Sequence, residues 1–314
     1  MPPLISAHVS ATGPACPVCD STDREFVIDG HDHLYGNAGT FALWRCRGCG
    51  LGMQFPMPSD GDMAAFYPPD YPCHSWREPS GRWLTAVRRM LLCDTTPLDP
   101  RFTAPGRMLD VGCGAGNAIE EFGRRGWQAV GVEPNPRAVE TGRRRGLDVV
   151  QGTLDDARFP DAAFDYVRLD HSFEHMTRPT ATLREIRRIL RPGGRLFVCV
   201  PEFESTTRRL FGEYWWFLGL PVHAYQYSHD TLPRLLERAG FTVERVRVRP
   251  HLGGTLGSLE LLLNHRRTDP SRHVRPMQSA VCRLIGQWAA VLVAAFGTGD
   301  VLEVTSVRSE EGVP

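Results

Sequence analysis

The sequence predicts an α/β protein in which a doubly wound parallel sheet follows a small N-terminal metal-binding unit. Three observations support this fold class. In Met108–Asn117 an apolar run passes into alternating glycines and then into a helical pattern, which is typical of a strand, a tight turn and a helix. Strand and helix patterns then alternate as far as Val248. Two Cys-x-x-Cys pairs precede this region.

The composition is that of a globular protein with no net charge. With 314 residues and a hydrophobic content of 42%, the chain can bury a substantial core. Lys and Arg total 36, as do Asp and Glu, so no net charge recruits nucleic acid. The N-terminus lacks a secretory pattern, and the apolar run Leu284–Gly299 is too short for a stable membrane span. We therefore expect a cytoplasmic location, reduced cysteines and no nucleic-acid partner.

The first unit, residues 1–75, contains four cysteines at the spacing of a zinc site. They are Cys16, Cys19, Cys46 and Cys49. Two such pairs supply the four thiolates of a tetrahedral zinc ion, and short strands at Glu25–Asp29 and Thr40–Arg45 complete a zinc ribbon. A site closed by four thiolates leaves no open position, so we expect this zinc to be structural. Free thiols in unrelated turns and a redox dithiol are the alternatives.

A segment rich in Tyr and Pro, Phe66–Pro72, closes this unit. Its prolines disfavour a helix or a central strand. Tyr67 and Tyr71 have two interpretations, as packing between units or as side chains over the active site, and the sequence leaves both open. Residues 76–106 are expected to form a helix, Trp83–Cys93, and a proline-rich linker.

The core, residues 107–250, follows the strand and helix alternation. Asn135–Pro136 caps and begins one helix, Thr182 and Glu185 have the spacing of a capping box, and Pro192–Gly194 predicts a turn. The predicted strands are Arg107–Val111, Gln128–Glu133, Leu147–Gln151, Phe164–Leu169, Arg195–Val200 and Phe241–Val248. The predicted helices are Asn117–Arg125, Pro136–Arg145, Thr182–Leu190 and Thr231–Ala239. In such a sheet the ligand binds at the carboxyl ends of the strands.

An insertion, residues 251–300, separates the last two strands. Its end, Val281–Phe296, is apolar on nearly every face, which suits a helix buried against its own domain or against a second copy in a homodimer. Docking on a membrane surface is the alternative, disfavoured because this stretch lacks a polar face rich in Lys and Arg. A last strand, Val301–Val307, begins the terminal segment 301–314 and closes the sheet.

The glycine turn and the end of the second core strand indicate a nucleotide-like cofactor. Glycines let a ligand approach the main chain closely. Glu133 ends that strand, where a carboxylate accepts hydrogen bonds from both hydroxyls of a ribose. This feature is common to NAD and S-adenosylmethionine sites, so an NAD-dependent dehydrogenase is the rival at this point. The spacing is Gly-x-Gly-x-Gly, with Asn117 where a dinucleotide fingerprint has its third glycine.

Five motifs occur in order within the core. They are Asp110–Gly116, Glu133, Phe164–Val167, Glu174–His175 and Leu190–Leu196. Together they resemble the class I S-adenosylmethionine-dependent methyltransferases, which implies a Rossmann-like methyltransferase sheet. The resemblance implies that Gly112, Gly114 and Gly116 lie against the methionine and ribose parts of the cofactor. It also implies that Asp110 orients the turn and the amino group, and that Glu133 holds the ribose.

The same resemblance assigns the two ends of the cofactor. Where the family usually has Gly-Asp-Ala, this chain has Gly-Thr-Leu-Asp. The acceptor for the adenine amino group is therefore Thr153 or Asp155, and we prefer Asp155. Leu154, which lies between them, is also expected to bind the cofactor. Asp170 and His171, just past the fourth core strand, are implied to face the sulfonium.

The front half of the chain extends the resemblance to zinc-containing methyltransferases of natural-product pathways, which include C-methyltransferases of nucleotide-linked keto sugars. In that group, tyrosines after the ribbon and a Glu-His pair after the fourth strand line the active site. This implies such roles for Tyr67, Tyr71, Glu174 and His175. The sugar enzymes also carry a large C-terminal domain that we do not expect here.

A base is required only if the acceptor must lose a proton. His175 and His171 are the candidates, because imidazole titrates near working pH. The alternative is that Glu174 and His175 only fix their loop. In the loop after the fifth strand, His223 and Tyr225 are expected to contact the acceptor or simply to pack.

The resemblance thus implies an enzyme that uses S-adenosylmethionine and a structural Zn²⁺ and methylates a small molecule in a natural-product or sugar pathway. Two alternatives stay open. One is a carboxylate O-methyltransferase that needs no general base. The other is a non-catalytic binding module, in which the zinc ribbon recognises a partner and the core is a relic.

Overall fold

The chain folds around two sheets. The computed structural model describes residues 14–67, 105–267, 272–279, 281–286, 288–289 and 299–309. Among these residues, no helix is long and apolar enough to cross a membrane. Tyr71, the expected helix Trp83–Cys93 and residues 290–296 of the insertion lie outside the described part of the chain.

The N-terminal sheet is antiparallel and has four strands. In spatial order they are β1 (Arg24–Gly30), β2 (Phe41–Cys46), β3 (Gly52–Phe55) and β9 (Tyr225–Gln226). The first two confirm the predicted strands to within one residue at each end. A short helix, α1 (Asp60–Phe66), follows β3, and the Ser59 side chain caps it by accepting a hydrogen bond from the backbone N–H of Asp62.

The central sheet has seven strands and confirms the predicted doubly wound architecture. The strands are β4 (Arg107–Val111), β5 (Gln128–Glu133), β6 (Asp148–Gln151), β7 (Phe164–Asp170), β8 (Leu190–Pro201), β10 (Phe241–Arg249) and β11 (Val301–Arg308). Their order is β10-β11-β8-β7-β4-β5-β6. The pairs from β6 across to β8 are parallel, so the carboxyl ends of these strands meet at one edge.

The last strand departs from the predicted all-parallel sheet. β11 runs antiparallel to both neighbours and lies between β8 and β10, so it does not close the sheet at its edge. The reason is the position of the insertion. Arg249 at the end of β10 is the register partner of Val301 at the start of β11. The chain therefore leaves and re-enters the sheet at the same end, and the returning strand runs the opposite way.

The helices cover the sheet with amphipathic faces. They are α2 (Asn117–Arg124), α3 (Pro136–Arg144), α4 (Leu154–Ala157), α5 (Pro179–Ile189), α6 (Thr206–Phe211), α7 (Thr231–Arg238) and α8 (Leu252–Asn264). The predicted cap of α3 is confirmed, because the Asn135 side chain accepts hydrogen bonds from the N–H groups of Arg137 and Ala138. Residues 281–286, 288 and 289 of the insertion are also helical.

Two local predictions before β8 are wrong. Thr182 and Glu185 do not form a capping box, because α5 already begins at Pro179; the Thr182 hydroxyl donates to the Arg178 carbonyl one turn earlier. The predicted turn at Pro192–Gly194 lies inside β8, which begins at Leu190. Gly193 has a φ of 72°, so the strand is irregular there without being interrupted.

The two sheets share one hydrophobic core. Cys16 and Met53 of the N-terminal unit belong to the same buried cluster as Val198 of β8 and Tyr227 just beyond β9. Apolar area from both units is therefore removed from water at a common interface, which fixes one unit against the other.

The strand β9 connects the sheets directly. It is a piece of the core chain that pairs with β3, with Met53 as the register partner of Tyr225. The backbone N–H of Gln54 also donates to the carbonyl of Ala224 across 3.0 Å. The loop that precedes β9 is thus held by the N-terminal sheet.

Candidate active site and metal site

The carboxyl ends of neighbouring parallel strands gather most of the predicted site residues. β4 ends at Val111, immediately before the glycine turn, and its neighbour β5 ends at Glu133. On the other side of β4, β7 ends at Asp170, and His171 follows it. This edge is where open α/β sheets bind their ligands.

The glycine turn is a cradle that only glycine fits. Gly112, Gly114 and Gly116 have φ angles of 75°, 53° and 84°, a region that other residues resist. A Cβ at position 112 would also lie 2.7 Å from the Cβ of Ser172. The Ser172 hydroxyl is itself fixed, because it donates to the Val111 carbonyl across 2.7 Å. The turn therefore presents bare backbone to the strand-end edge.

Glu133 faces this turn. Its two carboxylate oxygens accept hydrogen bonds from the backbone N–H groups of Gly114 and Asn135, each across 2.9 Å. Burial raises the pKa of Glu133, while these two donors oppose that rise. Each oxygen keeps further lone-pair capacity for a hydroxyl group. A fixed carboxylate at the end of β5 beside a glycine turn fits the ribose of a nucleotide-like cofactor.

Asp110 and Asp170 share one guanidinium. Arg168 donates to Asp110 across 2.7 Å and also binds Asp170. Burial lowers the pKa of Arg168, but the two carboxylate charges outweigh it and keep that pKa above its ordinary value. Arg168 therefore supplies one positive charge to two carboxylates, Asp110 and Asp170, beneath this edge.

The candidates for adenine recognition differ in their partners. The Thr153 hydroxyl caps α4, donating to Asp156 across 2.7 Å and accepting from the N–H of that residue. Leu154 is 7% exposed and points into the core. The Asp155 side chain is 58% exposed, with Arg178 at 3.7 Å. Of the two polar candidates, Asp155 has the more accessible acceptor.

His171 is held in an unusual backbone conformation at the edge. It has a φ of 52°, which is uncommon for a residue with a side chain and often marks a functional site. Its ring lies parallel to that of Phe217, with centroids 5.7 Å apart, and its Nδ1 is 3.3 Å from Oε1 of Glu174. Burial lowers the pKa of His171, but Glu174 outweighs this effect, so that pKa lies above its ordinary value.

His175 and His223 meet edge to face beside Glu174. Their ring centroids are 4.7 Å apart, and one ligand atom from each lies within 4.8 Å of a Glu174 oxygen. Nδ1 of His175 is 2.8 Å from both the Val222 carbonyl and the Tyr67 hydroxyl. Burial lowers the pKa of both imidazoles, to about 3 for His223, so the two rings are neutral near pH 7.

Tyr225 lies in the joint between the two sheets. It is 4% exposed, its ring stacks on that of Tyr227 at 6.0 Å, and its hydroxyl is 3.5 Å from the Thr177 carbonyl. Burial raises the pKa of Tyr225 to about 12. An acceptor reaches this side chain only if the packing around β9 opens.

The four cysteines of the N-terminal unit converge on one point. The Sγ atoms of Cys16 and Cys49 are 3.5 Å apart, as are those of Cys19 and Cys46, and all four lie within 4.8 Å of one another. A tetrahedral zinc ion with bonds of about 2.3 Å places its sulfur ligands about 3.8 Å apart. The donor set and its spacing therefore fit a structural zinc ion.

Several residues of the site carry no motif in the sequence. Arg168 offered one signal, since a lone arginine inside an apolar strand needs a buried partner. Phe217, which stacks on His171, and Val222, whose carbonyl contacts His175, lie in the loop after the fifth strand, where an acceptor pocket is expected. Their individual contacts have no sequence signal, because both join distant segments.

Comparison with known proteins agrees with this geometry. A family model described as a methyltransferase domain matches residues 76–246, more than half of the chain. An uncharacterised methyltransferase from Synechocystis sp. is 31% identical over 179 residues, which is 54% of this chain and 81% of that protein. A methyltransferase structure from Archaeoglobus fulgidus aligns with a TM-score of 0.47 at 19% identity, covering 73% of this chain and 95% of the other.

A ubiquinone biosynthesis O-methyltransferase from Xanthomonas oryzae pv. oryzae is 37% identical over 138 residues, 42% of this chain. The chain spans only about half, 54%, of that relative's length. The glycine turn and Glu133 fit a nucleotide-like cofactor, and the matched methyltransferase domain selects S-adenosylmethionine as the expected one. The chain belongs to the family defined by this methyltransferase domain, and its core is a class I S-adenosylmethionine-dependent methyltransferase domain.

Proposed function

We propose that the chain methylates a small-molecule acceptor of a natural-product or sugar pathway and that His171 removes a proton from that acceptor. The observation that carries this proposal is the contact between His171 and Glu174 immediately past the end of β7. There Nδ1 lies 3.3 Å from a carboxylate oxygen whose side chain is only 1% exposed. A buried carboxylate that orients an imidazole is the usual arrangement of a general base.

The cofactor side uses residues already positioned by the sheet. The glycine turn and Glu133 would hold the ribose and methionine parts of S-adenosylmethionine, and Asp155 would accept from the adenine amino group. When bound, this cofactor supplies an electrophilic methyl group. Arg168 compensates Asp110 and Asp170, so the edge does not present two unpaired carboxylates to the reacting groups.

His171 acts on the acceptor through its second ring nitrogen. A neutral imidazole that donates from Nδ1 to Glu174 keeps a lone pair on Nε2. In this structure Nε2 lies 3.9 Å from the Sγ of Cys199, a weak contact that the acceptor replaces. That lone pair takes the proton from a hydroxyl group or from a carbon next to a carbonyl. The charge of Glu174 stabilises the imidazolium that forms, which contributes to a rate gain of roughly 10²–10⁴-fold for general base catalysis.

His175 and His223 position the acceptor. Each has Nδ1 near a backbone carbonyl, Val222 for His175 and Phe217 for His223, so each neutral ring keeps Nε2 as an acceptor. The Tyr67 hydroxyl lies against His175 and fixes its ring from the N-terminal unit. His175 is the second candidate for the base, because it also neighbours Glu174.

We also propose that the four cysteines bind one structural zinc ion. Free thiols in this arrangement would place four sulfur atoms in contact without a bridging atom. The ion would fix the loop before β1 to the turn after β2 at the open end of the first hairpin, and hence the sheet that receives β9. Thiolate ligands of this kind persist in a reducing compartment, and we propose the cytoplasm.

The acceptor class is tested with radiolabelled S-adenosylmethionine and a panel that contains a nucleotide-linked keto sugar, a catechol and a small carboxylic acid. Methylation of the keto sugar or another sugar derivative supports the proposal, and His171→Gln then lowers kcat by at least about 100-fold. Methylation of the carboxylic acid alone, unaffected by His171→Gln, establishes the base-free alternative and contradicts the assigned role.

The catechol represents a second acceptor class. Relatives named ubiquinone biosynthesis O-methyltransferase and demethylmenaquinone methyltransferase share 37% and 27% identity with this chain over 138 and 180 residues. A phenolic hydroxyl also needs a base, so the same His171 assignment applies. Methylation of the catechol but of no sugar would show that the acceptor is a phenol of the quinone-precursor type and would contradict the proposed sugar acceptor.

A further inference from the structure

The helical end of the insertion turns large apolar side chains toward solvent. Val281, Leu284, Ile285 and Trp288 are 66%, 59%, 64% and 65% exposed. Their spacing of three, one and three residues places them on one face of a helix, hereafter the apolar stripe. A contiguous exposed apolar face of this kind marks an interaction surface.

The opposite face of this helix packs against the protein through small residues. Gly286 is buried, and a Cβ at that position would lie 2.4 Å from Cδ2 of Leu256 on α8. Cys282, one turn earlier, is part-buried. The helix therefore packs against α8 through the face that carries Gly286 and Cys282. The apolar stripe lies on the opposite face and is exposed to solvent for that reason.

Positive charge predominates in the part of the insertion that contains α8 and the apolar stripe. Residues 252–289 contain five arginines and only two acidic residues, in a chain whose formal net charge is zero. The arginines are Arg266, Arg267, Arg272, Arg275 and Arg283, and all five are exposed. Leu262 and Leu263, near the end of α8, add further exposed apolar area at 38% and 42%. Membrane docking is disfavoured by Val281–Phe296 alone, because this stretch lacks a polar face rich in Lys and Arg. Four of these five arginines precede that stretch and supply the missing positive charge.

We propose that the apolar stripe docks on the surface of a phospholipid bilayer that carries anionic headgroups. Four large apolar side chains, one of them a tryptophan, suit the boundary between headgroups and acyl chains, and the arginines suit the anionic charge. A second copy of this chain is the rival occupant. A symmetric dimer through the stripe would bring two sets of five arginines together, which like-charge repulsion opposes. The inference is independent of the acceptor proposed above.

The experiment measures co-sedimentation of the full chain with vesicles of phosphatidylcholine, alone or with about 30% phosphatidylglycerol. We expect binding to the anionic vesicles at least about tenfold tighter than to the neutral ones, falling as salt rises. Ile285→Glu should weaken that binding at least about tenfold, because it places a charge in the stripe. Val246→Glu, on a 42% exposed valine of β10, is the matched control and should bind like the wild type.

Calorimetry with S-adenosylhomocysteine reports whether each variant is folded, since the stripe lies outside the cofactor edge. If Ile285→Glu fails this check, Trp288→Gln replaces it with the same expectation. The proposal is overturned if the wild type does not bind anionic vesicles. It is also overturned if the folded variant of the apolar stripe binds them as tightly as Val246→Glu does. Sedimentation equilibrium that shows a dimer dissociated by the stripe variant would instead assign the surface to a second copy.

Discussion

Arg168 on β7 donates to Asp110 on β4 across 2.7 Å, and the two side chains are only 9% and 4% exposed. The same guanidinium binds Asp170. One buried cation therefore holds two neighbouring strand ends together directly beneath the glycine turn. This arrangement couples the stability of the sheet to the shape of the cofactor edge.

Removing this cation should destabilise the fold strongly. Arg168→Leu removes the counter-charge of Asp110, which is buried, and of Asp170, whose side chain is 24% exposed, and we expect the free energy of unfolding in urea to fall by about 3–5 kcal/mol. Arg124→Leu is the control, because it breaks a pair with Glu120 in which the arginine is 58% exposed, and it should cost less than about 1 kcal/mol. Equal losses in the two variants would show that the buried pair has no special role.

The glycine turn can be tested with two glycines of the same backbone conformation. Gly112 and Gly146 both have a φ of 75°, but a Cβ meets Ser172 only at position 112, while position 146 has open space. Gly112→Ala should weaken S-adenosylhomocysteine binding at least about tenfold by calorimetry. Gly146→Ala should lower stability by about 1 kcal/mol and leave the affinity unchanged. Unchanged affinity in Gly112→Ala would remove the turn from the cofactor site.

The pH dependence of turnover identifies the base. The titratable and charged groups around His171 are Glu174, Asp170, Arg168, His175, His223, His251 and Cys199. Because the pKa of His171 is raised and the base must be neutral, kcat/KM should increase with pH through an apparent pKa above 6.5. Glu174→Gln should lower that apparent pKa.

A different pH profile would point elsewhere. Burial lowers the pKa of His175, so an apparent pKa below 6.5 that disappears in His175→Gln would transfer the role to His175. A flat profile across this range would show that the acceptor loses no proton to an imidazole.

Removal of the zinc ion should lower turnover of the methyl acceptor more than it weakens binding of the cofactor. We expect one zinc per chain by elemental analysis, and Cys49→Ser should lose it, with a clear drop in Tm. Because β3 pairs with β9, turnover should fall while S-adenosylhomocysteine still binds. Cys282→Ser, outside the cluster, should keep the metal and the Tm. Less than half a metal ion per wild-type chain would refute the four-thiolate site.

Much of the fold was predictable because its signals are local. The apolar run before Gly112, the Asn135 cap and the position of Glu133 after a strand are set by residues near one another in the chain. Such patterns place strands, turns and helices without knowledge of their partners. The strand-end edge follows from them, because parallel strands bring their carboxyl ends together.

The remaining features depend on contacts between distant segments. The direction of β11 in the sheet depends on where the insertion ends. It ends beside Arg249, so that β11 starts there and runs antiparallel to β10. The pairing of Tyr225 with Met53 joins residues far apart in the chain and has no sequence signature. The same holds for Tyr67 against His175, whose proximity was implied only by resemblance. The periodicity of hydrophobic residues shows which face of a helix or strand is buried. It does not show which other segment packs against that face.

The most direct test of the central claim is a calorimetric titration of the wild-type chain and of Glu133→Ala with S-adenosylhomocysteine and with NAD. If this strand-end edge is an S-adenosylmethionine site, the wild type binds S-adenosylhomocysteine and not NAD, and the carboxylate at the end of β5 holds the ribose. Glu133→Ala then loses at least about tenfold in affinity, roughly 1.4 kcal/mol. Binding of NAD alone, or full affinity in Glu133→Ala, would contradict the cofactor site derived from this structure.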